Sequence, residues 1–364
     1  MLPSTRALLT GLLRGDRASL SRSITLIESL LPAHRHEADL LLGALLREPP
    51  PPASAEHAPS PLLPPAAAAS ASQPPPLRTL RLGVAGPPGA GKSSLIEALG
   101  LALAQAHPGA RLAVLAIDPS SSRTGGSILG DKTRMGGLAV HPRVYVRPTP
   151  ARGALGGVAR ATHEVVSLCE GAGYSTTVVE TVGLGQSETA VEGVVDCTLL
   201  VLPPSAGDEL QGLKKGIVEC ADVIVVNKAD GATADVARAS AAEYRSALAL
   251  AQGRHNGRGG AGEVWAPRVL AASAASGEGV AGVWGAVREY CAALGHARLG
   301  AQRRTQGEAW MWGDFEVGAL AAARARVAAL GRAQAQLLAH GRTTPRAAAL
   351  ELLRALGLQE EGGR

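Results

Sequence analysis

A chain of 364 residues with a formal net charge of +5 is long enough to bury a core without disulfide staples. Its basic residues are dispersed and are not interleaved with its few aromatics (four Trp, four Tyr, one Phe), which argues against nucleic-acid binding. No apolar run reaches the roughly 18–20 residues of a membrane span, and Cys169, Cys197, Cys220 and Cys291 lie far apart without paired spacing, as buried thiols in a reducing compartment do.

The first residues, Met1 to Arg14, are free of acids and faintly like a transit peptide, but Asp16 and the spacing of Leu20, Ile24, Ile27, Leu30 and Leu31 favour a helix of the folded protein. Residues 8–46 predict two amphipathic helical segments divided near Pro32. From Pro49 to Pro76 the chain turns Pro/Ala/Ser-rich. Too few large apolar residues remain there to offset chain entropy, which predicts a disordered or partly polyproline linker.

Beyond the linker, apolar runs alternate with helical patterns. Strands are expected at Leu80–Ala85, Leu112–Ile117, Val144–Arg147, Thr177–Thr181, Thr198–Leu202, Val223–Val226 and Arg268–Ala272. Helices are expected at Ser94–Ala106, Gly157–Cys169, Glu209–Glu219, Val236–Ala251 and Val280–Leu294. This alternation predicts a three-layer α/β fold around a mostly parallel central sheet, with the ligand at the carboxyl ends of the strands. A surface loop is expected at 252–262. After Leu294, Trp310, Met311, Trp312 and Phe315 form either a packing anchor or a subunit contact, and Ala-rich helical patterns run to the end. Composition thus divides the chain into a helical segment (1–47), a linker (48–78), the α/β domain (79–295) and a helical arm (296–364).

The first predicted strand runs into Gly86, Pro87, Pro88, Gly89, Ala90, Gly91, Lys92 and Ser93, which satisfy G-x-x-x-x-G-K-S, and Ser94 continues into a helix. This is a P-loop: glycines let backbone N–H groups turn around a phosphate chain, the helix directs its positive end at the anion, Lys92 reaches the β/γ-phosphates and the Ser93 hydroxyl suits Mg²⁺. Further acidic groups fall at strand ends. Asp118 and Asp131 are hard oxygen ligands for Mg²⁺, or else a helix cap and a solvated side chain. Glu180 is a Walker-B-like acid, and Gly183 can present its N–H to a γ-phosphate. The charged segment Asp208 to Lys214 reads equally as a switch or as a solvated helix start.

Asn227, Lys228, Ala229 and Asp230 form an N-K-x-D box, in which the aspartate accepts from guanine N1 and its exocyclic amine while the lysine packs along the base. Ser273 and Ala274, at a later strand end, are placed for the guanine O6. The box selects GTP over ATP and argues against a P-loop kinase or ATPase.

With these segments together, the chain resembles the MeaB and methylmalonic aciduria type A (MMAA) family of P-loop GTPases, relatives of the signal-recognition GTPases. The resemblance rests on GPPGAGKSS, AIDPSSSRTGGSILGDKTRM, RPTPARGALGGVAR, ETVGLGQSE, GDELQGLKKGI, VNKAD, SAASGEG and RRTQGEAWMW. It implies a SIMIBI-class G domain in a homodimer. The implied activity is a Mg²⁺-dependent GTPase that gates adenosylcobalamin loading and release and protects or reactivates methylmalonyl-CoA mutase, so the cobalamin is met only through the partner.

By position, the resemblance puts Lys92 and Ser93 on phosphate and Mg²⁺, Asp118, Asp131 and Glu180 around the metal, and Asn227, Lys228 and Asp230 on guanine. It makes Asp208 to Lys214 a switch, favours the subunit-contact reading of Trp310 and Trp312, and offers Arg134 and Lys214 as cations for the transition state. The implied compartment is the mitochondrial matrix in a eukaryote or the cytoplasm in a bacterium. The alternative client is another metal or cobalamin enzyme, as for nickel-insertion chaperones, but the nine His and four Cys form no cluster of metal-ligand spacing.

Overall fold

The computed structural model describes residues 1–29, 31–48, 58–65, 76–118, 135–150, 161–181, 191–204, 221–255 and 265–358. Its chain divides into two compact units, Met1–Arg303 and Arg304–Arg364, a division that falls beyond the boundary after 295 suggested by composition.

The first unit is built on seven parallel strands: β1 (Leu80–Ala85), β2 (Leu112–Asp118), β3 (Val144–Pro150), β4 (Thr176–Glu180), β5 (Cys197–Leu202), β6 (Val223–Val226) and β7 (Arg268–Ala271). Their order across the sheet is β3-β2-β4-β1-β5-β6-β7. The expected runs become strands because both faces are covered, so continuous apolar sequence such as Val223–Val226 is buried throughout. β1 lies at the centre, paired with β4 through Val84↔Glu180 and with β5 through Ala85↔Leu200. The chain passes from β1 to β2 on one side, and from β4 it crosses over β1 to β5 on the other, so the winding reverses beside β1 and a crevice opens at the carboxyl ends.

The helices in chain order are α1 (Pro3–Leu13), α2 (Arg17–Ile27), α3 (Pro32–Leu45), α4 (Lys92–Ala106), α5 (Gly136–Val140), α6 (Thr162–Gly171), α7 (Ala234–His255), α8 (Val280–Arg326), α9 (Ala328–Ala339) and α10 (Pro345–Ala355). Residues 8–46 were expected to hold two helices, and the segment from Pro3 to Leu45 holds three. The extra break follows from Asp16, whose carboxylate accepts from Ala18 N at 3.3 Å and Ser19 N at 2.8 Å and so starts α2 afresh. Helix α2 is tied to the edge strand by Arg147, which donates to Glu28 Oε2 at 2.5 Å.

A disordered linker was expected across 49–76, and residues 58–65 correct that expectation. Leu62 is 2% exposed and belongs to the main core with Leu80, Leu82, Leu99 and Trp284. Ser60 N donates to Arg78 O at 2.8 Å, and the Ser60 hydroxyl meets that of Thr176 at 3.0 Å. His296 clips the segment in place: its Nδ1 accepts from Leu77 N at 3.2 Å while Nε2 lies 3.0 Å from Pro64 O. Helix α7 also runs on to His255 where a loop was expected from Gln252, since Gln and Arg are good helix formers and one Gly costs only about 1 kcal/mol.

The amino ends of the strands are closed by buried charges. Arg303 donates to both oxygens of Asp196, at 2.7 and 2.5 Å, and to Thr79 O at 2.7 Å. Arg81 forks onto Glu170 at 2.9 and 2.7 Å. Burial raises the proton affinity of Glu170, but Arg81 and Arg303 outweigh it and hold the carboxyl down at about 2. Cys169, Cys197 and Cys291 are buried free thiols, as expected, and burial pushes Cys291 up to about 12. Cys220 lies outside the described residues.

In the second unit, Trp312 and Phe315 stack edge to face with centroids 5.8 Å apart, yet both stay exposed, at 58% and 61%. Met311, Val317 and Leu320 are exposed as well.

Candidate functional site

The site grows from the turn between β1 and α4. Gly86 has φ 150°, and a Cβ there would stand 2.1 Å from the Val201 carbonyl oxygen, so only glycine passes between β1 and β5. Gly91 has φ 86°, caps α4 in a left-handed conformation, and gives up the space of its Cβ to the Asn227 amide. The Lys92 ammonium donates to Gly86 O at 2.8 Å and Pro87 O at 3.2 Å. It thus lies across the mouth of its own loop. The loop closes through Ala90 N donating to Pro87 O at 3.3 Å, with Pro88 and Gly89 at its exposed tip.

Ser93, one residue into α4, donates to Glu180 Oε1 at 2.8 Å, and both residues are buried, at 8% and 6% exposure. Glu180 ends β4, beside β1, so a hydroxyl and a carboxylate from separate elements converge behind the loop. Two hard oxygen donors at hydrogen-bond distance fit the chemistry of Mg²⁺. Asp118 ends β2, as expected, and its side chain lies outside the described ones. Asp131, Arg134, Gly183 and the Asp208 to Lys214 segment fall outside the described residues altogether.

The base side of the site is pinned to the phosphate side by one residue. Asn227, 1% exposed at the end of β6, donates to Ala90 O at 2.9 Å and accepts from Ala274 N at 3.1 Å. Three loops are therefore held by a single amide. Asp230 Oδ1 accepts from the buried Ser273 hydroxyl at 2.6 Å, and Ser273 accepts in turn from Ser276 N at 3.0 Å. Its carboxylate is aimed before any ligand arrives. Lys228 has φ 60°, uncommon outside glycine, and Thr233 clamps its carbonyl at 2.6 Å.

Between α4 and these loops lies an open cleft of about 490 Å³. Gly91, Ser94, Asn227, Lys228, Asp230 and Ala274 line it, all of them residues singled out in the sequence. Glu97, Ala98, Leu101 and Ala275 line it too, and motif reading missed them. The signal was present: residues 94, 97, 98 and 101 are spaced to share one helix face.

Residues 70–326 match the family model described as "Methylmalonyl Co-A mutase-associated GTPase MeaB". The methylmalonic aciduria type A homolog of Mus musculus, named as mitochondrial, is 45% identical over 309 residues, covering 84% of this chain and 68% of that protein. A probable GTPase of Mycobacterium bovis is also 45% identical, over 306 residues covering 84% of this chain and 80% of that protein. A solved structure titled as an LAO/AO transport system kinase is 30% identical with a TM-score of 0.67, covering 98% of this chain and 99% of that one. The P-loop, the N-K-x-D box and the parallel sheet that joins them lie within the matched span, and the chain belongs to the MeaB family of P-loop GTPases.

Proposed function

We propose that this GTPase binds GTP with Mg²⁺, hydrolyses it slowly alone and faster on a partner, and serves as a chaperone of a methylmalonyl-CoA mutase or a related B12-dependent mutase. In this reading it gates loading and release of adenosylcobalamin and protects or reactivates the mutase, in a mitochondrial matrix or a bacterial cytoplasm. The observation that carries the nucleotide part is the Asn227 amide, which ties the phosphate loop to the loop after β7, where Ser273 aims the Asp230 carboxylate. The mutase part is supported by the family description and by the name of the mouse relative.

In the mechanism, Lys92 exchanges the Gly86 and Pro87 carbonyls for phosphate oxygens, so its charge is delivered where negative charge gathers. Ser93, Glu180, Asp118 and Asp131 would hold Mg²⁺, which neutralises charge on the β- and γ-phosphates. Gly183 offers its N–H to the γ-phosphate, and Arg134 or Lys214 is the candidate cation supplied on complex formation. Asp230 accepts from guanine N1 and the exocyclic amine, with Lys228 along the base and Ala274 toward O6.

GTP hydrolysis measured with and without the mutase tests the reading. Stimulation and slower mutase inactivation are expected, and the absence of both sinks the chaperone role. Asp230→Ala is expected to lower GTP affinity and relax the preference for GTP over ATP. An unchanged preference would show the box to be misassigned.

A further inference from the structure

We infer that Glu97 reads the ribose of the bound nucleotide, one carboxylate oxygen being committed to the protein and the other offered to a ribose hydroxyl. The inference rests on the guanine-nucleotide reading of the cleft. Glu97 lines that cleft from α4, on the face it shares with Ser94, Ala98 and Leu101 and opposite Asn227, Lys228 and Asp230. It is the charged residue of this helix wall, whose other members are a serine, an alanine and a leucine.

Its geometry is built rather than loose. Glu97 Oε1 accepts from Gly137 N at 2.8 Å and from Leu138 N at 3.3 Å, the second and third residues of α5. A long acidic side chain normally loses rotamer freedom on gripping a ligand, and here two backbone donors have already removed it. Oε2 makes no hydrogen bond among the described residues. The result is a fixed acceptor edge in the cleft wall.

The chemistry of a nucleoside triphosphate selects what that edge can meet. A carboxylate only accepts. Phosphates are anionic and repel it, and the guanine N1 and amino donors face Asp230 in the proposed pose. The vicinal hydroxyls of the ribose are the donors left over. A hydroxyl donating to a charged acceptor is also among the stronger hydrogen bonds a sugar can make.

The test is calorimetric titration of the full chain, with Mg²⁺, against GDP, 2′-deoxy-GDP, 3′-deoxy-GDP and ADP. At least one deoxy analogue is expected to bind roughly tenfold more weakly than GDP, the worth of one charge-assisted hydrogen bond. Glu97→Ala is expected to bring GDP down to the level of that analogue while leaving the GDP-to-ADP ratio as it was. Glu97→Gln keeps an oxygen for Gly137 and Leu138 and removes the charge, so it is expected to fold as the parent does with the discrimination reduced. Equal binding of GDP and both deoxy analogues by the unaltered protein, with GDP still preferred over ADP, would overturn the ribose contact alone. Equal binding of GDP and ADP would overturn the guanine reading beneath it.

Discussion

The Asp222 carboxyl stands where the amino ends of β5 and β6 meet, accepting from Thr198 N at 2.8 Å. Burial pushes it up from 3.8 to about 7, more than the Thr198 amide and the Tyr290 hydroxyl bring it down. The folded protein therefore keeps a proton that the unfolded chain releases above pH about 4. This contribution to stability is fully present below that pH and is lost as pH rises through about 7. Asp222→Asn keeps a carbonyl oxygen for Thr198 and cannot ionise. It is expected to flatten urea-unfolding stability between pH 5 and 8 and to exceed the parent by about 1–3 kcal/mol at pH 8. A parent whose stability rises over that interval would contradict the assignment.

Among the elements, the 58–65 segment departs furthest from what its composition implies. Leu62→Ala is expected to cost about 2–4 kcal/mol in chemical denaturation, the range for emptying a filled core site, whereas a linker residue would cost almost nothing. The seven strands were legible because parallel strands buried on both faces are written as apolar runs, and Val223–Val226 shows it residue by residue. The P-loop and the N-K-x-D box were legible because their chemistry depends on neighbours in sequence. Leu62 was not, since its burial is decided by Leu80, Leu99 and Trp284, far away along the chain, and a Pro/Ala average hides a single anchor. Arg303 and Glu170 were hidden for the opposite reason: a charged residue looks solvated until its partner is known. Glu97 carries no motif, and only the docking of α5 on α4 gives it a fixed direction.

At the scale of the whole molecule, the second unit leaves Trp312 and Phe315 more than half exposed, in a chain with a single Phe. Met311, Val317 and Leu320 are exposed along the same helix, and exposed apolar side chains of this kind are what subunits bury. The double change Trp312→Ala and Phe315→Ala is expected to convert the homodimer implied by the family resemblance to monomer in light scattering, with GDP affinity kept. An unaltered protein that is monomeric at tens of micromolar would refute the homodimer.

The central strand has a consequence of its own. β1 starts beside the Arg303–Asp196 charges, runs on into Gly86, and pairs with β4 over Leu80–Val84 and with β5 over Leu82–Ala85. The phosphate loop is thus the continuation of a segment that opens only when the sheet itself opens. Destabilising substitutions in the first unit away from the nucleotide cleft should leave the surviving molecules binding nucleotide at full strength while lowering how many survive. A cell carrying such a substitution would show a shortage of protein rather than a weakened enzyme.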